Sequence, residues 1–127
     1  MARKKFELEV EVHASPAFLY NYISNPSGLS EWFADNVNSR GEKFTFLWNG
    51  VEEVAYLIKT KFDEYVRFRW EDDGNTKYYF EIKIVEDELT NDVSLVVTDF
   101  AEPDEVEESR DLWLSQLEDL KHVIGSV

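Results

Sequence analysis

The chain has 127 residues, with 27 Asp and Glu against 13 Lys and Arg and a formal net charge of −14. So acidic a chain lacks the basic footprint that nucleic acid or an anionic membrane surface requires, and neither is expected as a partner. With 43% hydrophobic and 15% aromatic residues it can build a core, which excludes a disordered protein. Cysteine is absent, which excludes disulfides, thiolate metal sites and a cysteine nucleophile.

The sequence carries no targeting or membrane-spanning signal. No apolar run approaches the roughly 20 residues of a transmembrane helix. The basic start Ala2–Lys5 is followed by alternating glutamates rather than by the apolar segment of a signal peptide. We therefore expect a cytoplasmic protein. No repeat or linker interrupts the chain, so we expect one domain over residues 1–127.

The N-terminal part predicts a strand followed by two short helices. Phe6–Val12 alternates apolar residues with glutamates, as in a strand with one wet face. Ser15-Pro16 is a good helix start, and Asn25-Pro26 ends that helix. Ser27 or Ser30 can then cap a second helix. That helix carries Leu29, Trp32 and Phe33.

Five more strands are predicted after Gly41 from alternating apolar residues. Short turns such as Asn49-Gly50 and Asp72–Asn75 join them into an antiparallel meander. The residues expected to face the core are Phe44, Phe46, Trp48, Val54, Tyr56, Ile58, Val66, Phe68, Trp70, Tyr78, Phe80, Ile82, Ile84, Val93, Leu95 and Val97.

A helix over residues 104–124 closes the chain. Asp104 and Glu107 have the spacing of a capping box, and Gly125 is a natural stop. Such a helix is about 30 Å long, close to the length of a nine-residue strand. It can therefore lie across the whole sheet and cover its apolar face. Its apolar stripe is Val106, Leu112, Trp113, Leu117, Leu120, Val123 and Ile124.

This order of elements resembles the START-like, helix-grip (SRPBCC) superfamily, and most closely its bacterial homologues of the activator of the heat-shock-protein-90 ATPase. The resemblance covers the whole chain. It is carried by Phe6–Val12 running into Ser15-Pro16, by Asn25–Phe33, by the hairpin end Trp70–Gly74, and by the closing helix with Trp113, Leu117 and Leu120.

The resemblance implies an α+β, helix-grip (START/birch-pollen-allergen-like) fold. Six antiparallel strands would curve around the C-terminal helix, with two short helices between strands 1 and 2. In many members a cavity between sheet and helix holds a hydrophobic or amphipathic small molecule. The catalytic residues differ between branches, and no branch-specific motif is found here.

The inward aromatic set has two interpretations, a solid core or the lining of a ligand-sized cavity. Large rings fill space as readily as they enclose it, so both stay open. The expected lining residues are Trp32, Phe33, Phe46, Trp48, Tyr56, Phe68, Trp70, Tyr78, Phe80, Trp113 and Leu117.

No metal, cofactor or catalytic residue is predicted. His13 and His122 stand far apart without a metal-ligand spacing, and we assign them structural or surface roles. The acidic segment 71–75 lacks the spaced ligands of a calcium loop and is predicted to be a turn. No phosphate loop, nucleophile elbow or triad-like arrangement appears.

Three charged residues on the strands carry alternatives. Arg67 and Arg69 are expected to pair with acids such as Glu81 on a solvated face. If they pointed inward, they would be candidates for gripping an anionic ligand group. Asp99 shares the parity of the inward residues before it. It is either a cavity acid or, as the pattern favours, a surface acid at the end of a strand.

The leading hypothesis is a non-enzymatic binding domain for a hydrophobic or amphipathic small molecule. An alternative is a co-chaperone-like protein–protein module that docks a basic partner on residues 102–119, which hold eight acids and one base. A third is an enzyme of cyclase or hydrolase type, which needs an inward acid or base with polar neighbours. Pairing of two copies through a sheet edge or through Tyr65 and Tyr79 stays open.

Overall fold

The fold was analysed in a computed structural model, which describes residues 2–126. The regular elements in chain order are β1 (Lys4–Val12), α1 (Pro16–Ser24), α2 (Pro26–Leu29), β2 (Asn36–Arg40), β3 (Lys43–Trp48), β4 (Val51–Lys61), β5 (Tyr65–Trp70), β6 (Phe80–Glu86), β7 (Val93–Ala101) and α3 (Val106–Val123). Short 3₁₀ turns at Glu71–Asp73 and Pro103–Glu105 precede β6 and α3.

Across residues 2–126, seven strands, rather than the expected six, form one antiparallel sheet in the order β1-β7-β6-β5-β4-β3-β2. The additional strand is β2, which pairs with β3 at the sheet edge. Its sequence Asn-Val-Asn-Ser-Arg has one buried residue, Val37, so it shows no alternation of apolar and polar residues. An edge strand needs little apolar surface, which is why the pattern did not reveal it.

The inner face of the sheet is the one that the helices cover. Helix α3 packs on β1 and β7, whereas α1 packs on β5 and β6. The expectation that the final helix alone covers the sheet is therefore wrong. Helix α1 shares the cover, and α3 runs from Val106 to Val123 instead of over residues 104–124. Trp113, Leu117 and Leu120 are its buried residues.

The ends of the helices follow local chemistry, with two differences from expectation. The Ser15 side chain caps α1, as predicted, by accepting from the Phe18 N–H at 3.3 Å. Asn25, and not a serine, caps α2 by accepting from the Gly28 N–H at 2.9 Å. No side chain caps α3, so the expected capping box of Asp104 with Glu107 does not form.

The inward residues of β4 differ from those predicted. Ala55 faces the core opposite Phe44, and Leu57 lies opposite Phe68. Val54, Tyr56 and Ile58 were expected there because they alternate along the strand. At Ala55 the large rings of Phe44 and Trp70 on the neighbouring strands leave room for only a small side chain. A register shift between Leu57 and Lys59 further breaks the alternation.

The turns are also a mixture of confirmed and corrected predictions. Asn49 and Gly50 have φ values of 49° and 81°, as a tight hairpin turn requires. The predicted tight turn at Asp72–Asn75 is instead part of a wider connection that spans residues 71–79. Asp73 in this connection is only 8% exposed, and its burial is important for the site described below. No helix within residues 2–126 is long and apolar enough to cross a membrane.

Candidate functional site

The space between the sheet and α3 is occupied by packed aromatic rings around Phe33. The ring centroid of Phe33 lies 5.3 Å from those of Phe46 and Trp48. It lies 5.5 Å from Trp113 of α3 and 5.7 Å from Phe80 of β6. The Phe33 side chain is 4% exposed, and its ring packs between the sheet and α3. We refer to this ring as the wedge. We call this cluster the aromatic centre.

Hydrogen bonds fix the wedge in place. The Phe33 carbonyl accepts from the Trp48 indole N–H at 2.8 Å and from the Gln116 side-chain amide at 3.0 Å. The Trp32 indole N–H donates to the Tyr22 carbonyl at 2.8 Å. The turn after α2 is thus bonded to the sheet, to α3 and to α1. Both indole groups have protein partners, so neither needs a ligand to satisfy it.

The predicted lining residues divide into three groups. The packed interior contains Phe46, Phe68, Phe80, Trp113 and Leu117, each at most 6% exposed. Trp70 and Tyr78 border an open pocket, and Trp32, Phe33 and Trp48 border another. Tyr56 is the exception, because it lies on the outer face opposite Arg69 and is 37% exposed. Its expected inward orientation is wrong, for the parity reason given for β4.

The first open pocket, here the end pocket, lies where β4 begins and where β5 and β7 end. Its volume is about 440 Å³. Its aromatic walls are Trp70, Tyr78, Tyr79 and Phe100, and Val54 adds aliphatic surface. Its charged lining consists of Arg3, Glu52, Glu53, Glu71, Asp72, Asp73 and Asp99. This pocket combines aromatic surface with six carboxylates and one guanidinium, and differs in chemistry from the aromatic centre.

Arg3 and Asp73 form the strongest ion pair of the end pocket. The two terminal nitrogens of Arg3 donate to the two carboxylate oxygens of Asp73 at 2.9 and 3.0 Å. This hydrogen bonding to Asp73 raises the pKa of the guanidinium. The guanidinium also stands 4.5 Å from the centre of the Tyr78 ring, and the Arg3 backbone N–H donates to the Tyr78 hydroxyl at 3.0 Å.

Asp99 is the inward acid of the end pocket. Its Oδ2 accepts from the Trp113 indole N–H at 2.9 Å, and its Oδ1 accepts from the Phe100 backbone N–H at 2.7 Å. Burial raises the pKa of Asp99 to about 6, despite both hydrogen bonds and the nearby Arg3. The interpretation as a surface acid, which the sequence pattern favoured, is therefore wrong. Asp99 is also the inward acid with polar neighbours that the enzyme hypothesis required.

The second pocket, here the side groove, lies between the turn after α2 and the last turns of α3. Its volume is about 730 Å³. Trp32, Trp48 and Val123 give it apolar surface, and Glu31, Asp35, Gln116, Asp119 and His122 give it polar surface. The Asp35 carboxylate is already engaged, since it accepts from the Asn49 backbone N–H at 2.8 Å. The groove is wider than the end pocket.

The outer face confirms the predicted pairing with an acid for Arg67, whereas Arg69 bonds a backbone carbonyl instead. Arg67 contacts the Glu81 carboxylate across the strands at 2.8 Å, and its guanidinium stands 4.2 Å from the centre of the Tyr79 ring. Arg69 donates to the Tyr78 carbonyl at 2.8 Å. Neither arginine is turned toward the aromatic centre.

The two histidines lie at separate places on the surface. The exposed His13 ring is 3.2 Å from the Glu11 carboxylate, and His122 borders the side groove. Across residues 2–126, no three His, Asp or Glu side chains come together in a group that could hold a metal ion. Neither histidine therefore adds a chemical group to the end pocket.

Sequence reasoning missed Arg3 and Asp73 as site residues. They are 70 positions apart, and the antiparallel pairing of β1 with β7 is what brings Arg3 to the connection that carries Asp73. Local patterns hold no information about such a pair. The one available signal was the basic start of the chain in an otherwise acidic protein, and it did not identify a partner.

Comparisons with known proteins agree with the fold. The START-like superfamily domain model matches residues 1–126. A Bacteroides fragilis protein solved by NMR is 37% identical, with a TM-score of 0.70, over 98% of this chain and 93% of that chain. No curated protein matches the chain.

Two more distant structures share the fold alone. The Aha1 dimer from Colwellia psychrerythraea has a TM-score of 0.76 at 19% identity, over 93% of each chain. A Staphylococcus saprophyticus protein solved by crystallography has a TM-score of 0.77 at 12% identity, over 96% of this chain and 92% of that chain. The family match confirms the resemblance to the START-like superfamily that was seen in the sequence. From the family match and the 37% identical relative, the chain belongs to the START-like superfamily.

Proposed function

We propose that this chain is a binding domain whose small-molecule ligand occupies the end pocket. The observation that carries the proposal is the inward carboxylate of Asp99, held by Trp113 at the inner end of a pocket of about 440 Å³. Small-molecule sites are typically concave, with mostly apolar walls and a few placed polar groups. Trp70 and Tyr78 supply such walls, and Asp99 supplies a polar group.

The close packing of the aromatic centre supports placing the ligand in the end pocket and not between the sheet and α3. A ligand between the sheet and α3 would have to displace Phe33, whose ring touches both layers. Burial of a large ring contributes roughly 1.5–3 kcal/mol to the stability of the fold, which would be lost on displacement. The two hydrogen bonds that the Phe33 carbonyl accepts would also be disturbed. The end pocket can accept a ligand without opening the core. The ligand is therefore an amphipathic molecule that lays its apolar part on Trp70 and Tyr78.

The proposal is tested by following the Trp indole and backbone amide signals in NMR spectra. The added compounds are single-chain fatty acids, small aromatic acids and amphipathic amines. We expect a binding compound to shift the Trp70 and Trp113 indole N–H signals and the amides of residues 71–79. The Asp99→Asn variant should weaken binding of the amines about tenfold, since it removes the buried charge but keeps an acceptor for Trp113.

The side groove offers a matched control, because Asp119 borders it and not the end pocket. Asp119→Asn makes the same chemical change and should leave the affinity unchanged. If Asp119→Asn weakened binding and Asp99→Asn did not, the ligand would belong to the side groove. If no compound shifted the signals of the end pocket, the proposal would be lost.

A second candidate is a docking surface for a basic protein on the acidic start of α3. Glu105, Glu107, Glu108 and Asp111 are acids there, and Leu112 beside them is 62% exposed. Cross-linking of the chain to its partners at low and high salt would test this. The Glu105→Gln, Glu108→Gln variant should lose the same partners that high salt removes. Equal capture by the variant and the unaltered chain would contradict the candidate.

A further inference from the structure

Arg3 is bound in the end pocket as a cationic ligand would be. Its guanidinium makes a bidentate ion pair with the buried carboxylate of Asp73 and lies over the ring of Tyr78. Carboxylates and aromatic rings are the groups with which proteins recognise guanidinium and ammonium ions. The groups that bind the Arg3 guanidinium in the pocket are therefore suited to bind the cationic group of a ligand.

Arg3 can also leave the pocket without disturbing the sheet. The ladder of β1 with β7 begins one residue later, at the pair Lys4 and Ala101. The Arg3 backbone is joined to the rest of the pocket through the Tyr78 hydroxyl. The Arg3 side chain keeps 34% of its surface exposed, against 11% for that of Asp73. Arg3 can thus swing into solvent without breaking a strand pair, while Asp73 stays in place.

The pocket holds more negative charge than Arg3 neutralises. Both Asp99 and Glu102 act electrostatically on the Arg3 guanidinium. The Oε2 atom of Glu102 is buried, and it has no hydrogen-bond partner among residues 2–126. Glu102 does not line the end pocket, but six other carboxylates do, so a bound cation would lie in a field of excess negative charge.

We propose that the end pocket takes an amphiphile with a guanidinium or primary ammonium head, and that Arg3 is its built-in competitor. This inference rests on the proposed function. The head replaces Arg3 on Asp73 and over Tyr78, and the apolar part lies on Trp70. Because an intramolecular occupant reduces the fraction of open pocket, it weakens the apparent affinity by that fraction.

The probes for the test are benzylguanidine and benzylamine, with benzyl alcohol as the neutral and benzoate as the anionic counterpart. Binding is measured from the NMR shifts of the Trp70 and Trp113 indole signals. The Arg3→Ala variant should bind both cations about tenfold more tightly than the unaltered chain. Lys4→Ala is the matched control, because it removes the same charge from an exposed neighbouring residue and should leave the affinities unchanged. Asp73→Asn should abolish cation binding.

The outcomes separate this inference from the proposal on which it rests. Tighter cation binding by Arg3→Ala, with no change for Lys4→Ala, supports both. If benzyl alcohol or benzoate shifts the pocket signals and the cations do not, the ligand class is wrong while the binding pocket stands. If the cations bind equally to Arg3→Ala and Lys4→Ala, Arg3 is not a competitor. If no probe binds to Arg3→Ala with its amide spectrum still dispersed, the cation inference is lost.

Discussion

The aromatic centre and the end pocket lie at the two sides of Trp113 and are built in opposite ways. On one side the Trp113 ring packs against Phe33 and Phe80. On the other side its N–H holds the carboxylate of Asp99. The centre is apolar, closed and satisfied by its own hydrogen bonds. The end pocket is charged, open and keeps a carboxylic acid whose pKa is raised to about 6.

This contrast shows where a small START-like chain can place function. The centre supplies stability, since each ring there is in contact with several others. The end pocket uses part of that stability, because it holds a carboxyl group in surroundings that disfavour its charge. Trp70 and Trp113 contact both regions. The other residues of the two regions are separable by mutation, which gives the following predictions.

The largest expected effect is that of Phe33→Ala. Removing the wedge leaves a void between sheet and helix, and a buried Phe→Ala change costs about 3–5 kcal/mol. Urea denaturation measures the change in the free energy of unfolding. Phe62→Ala is the control, since Phe62 is 77% exposed and its loss should cost less than about 1 kcal/mol. Similar losses for the two variants would mean that the centre is loosely packed.

Gly28→Ala tests how the wedge is positioned. A Cβ at Gly28 would meet the Asn21 carbonyl oxygen and would lie 2.7 Å from the Tyr22 Cα, so α2 would have to move away from α1. We expect a loss of about 3 kcal/mol in urea denaturation, because backbone atoms cannot yield as side chains do. Gly74→Ala in the connection beside the end pocket is the control. Its Cβ would meet one oxygen at 3.2 Å, and its cost should stay below about 1 kcal/mol.

Asp99→Asn should change how stability depends on pH. Burial raises the folded-state pKa of Asp99 to about 6, above the ordinary value of roughly 4, so the folded chain holds this proton more tightly than the unfolded chain. Through this group, stability falls by on the order of 3 kcal/mol as pH rises from about 4 to about 6, and it is constant above that pH. The variant should lack this fall, and it carries a pH-independent cost because its single carbonyl oxygen can accept from Trp113 or from Phe100 but not from both.

Urea denaturation of both forms across this pH range gives the difference in unfolding free energy, in which the shared contribution of other acids cancels. Asp72→Asn, at the exposed rim of the same pocket, should follow the unaltered chain. A difference between Asp99→Asn and the unaltered chain that is the same at all pH values would contradict the buried, perturbed acid.

The smallest expected effect concerns the outer face, which belongs to neither region. Glu81→Gln weakens the pair with Arg67 and should cost about 0.5–1 kcal/mol in urea denaturation at low salt, and less at high salt. Glu9→Gln, exposed on the same face, is the control and should be near neutral. A cost for Glu81→Gln that salt does not reduce would point to packing rather than charge.

The sequence predicted the fold better than the site. Alternation in β1, β3, β5, β6 and β7 gave the correct inward residues, because large apolar side chains on those strands share one face. It failed for β4, where the inward residue opposite Phe44 is the small Ala55. Alternation along β4 does not show which of its two faces points inward, nor that rings on the neighbouring strands already fill the space above Ala55.

The end pocket could be predicted only in part. Trp70, Tyr78 and Asp99 were among the candidate residues, since local parity indicated where their side chains point. The pairing of Arg3 with Asp73 could not be found, because it depends on the contact of the chain's first strand with its last and on the shape of the 71–79 connection. Tertiary contacts of this kind leave no periodic trace in the sequence.

All four tryptophans of the chain touch the aromatic centre. Their rings lie at fixed angles to neighbouring rings, which is the arrangement that gives strong near-ultraviolet circular dichroism. The intrinsic optical signal of this protein therefore reports on the centre as a whole. A ligand that entered the end pocket would alter this signal mainly through Trp70 and Trp113, whereas a ligand that opened the centre would alter the contributions of all four tryptophans.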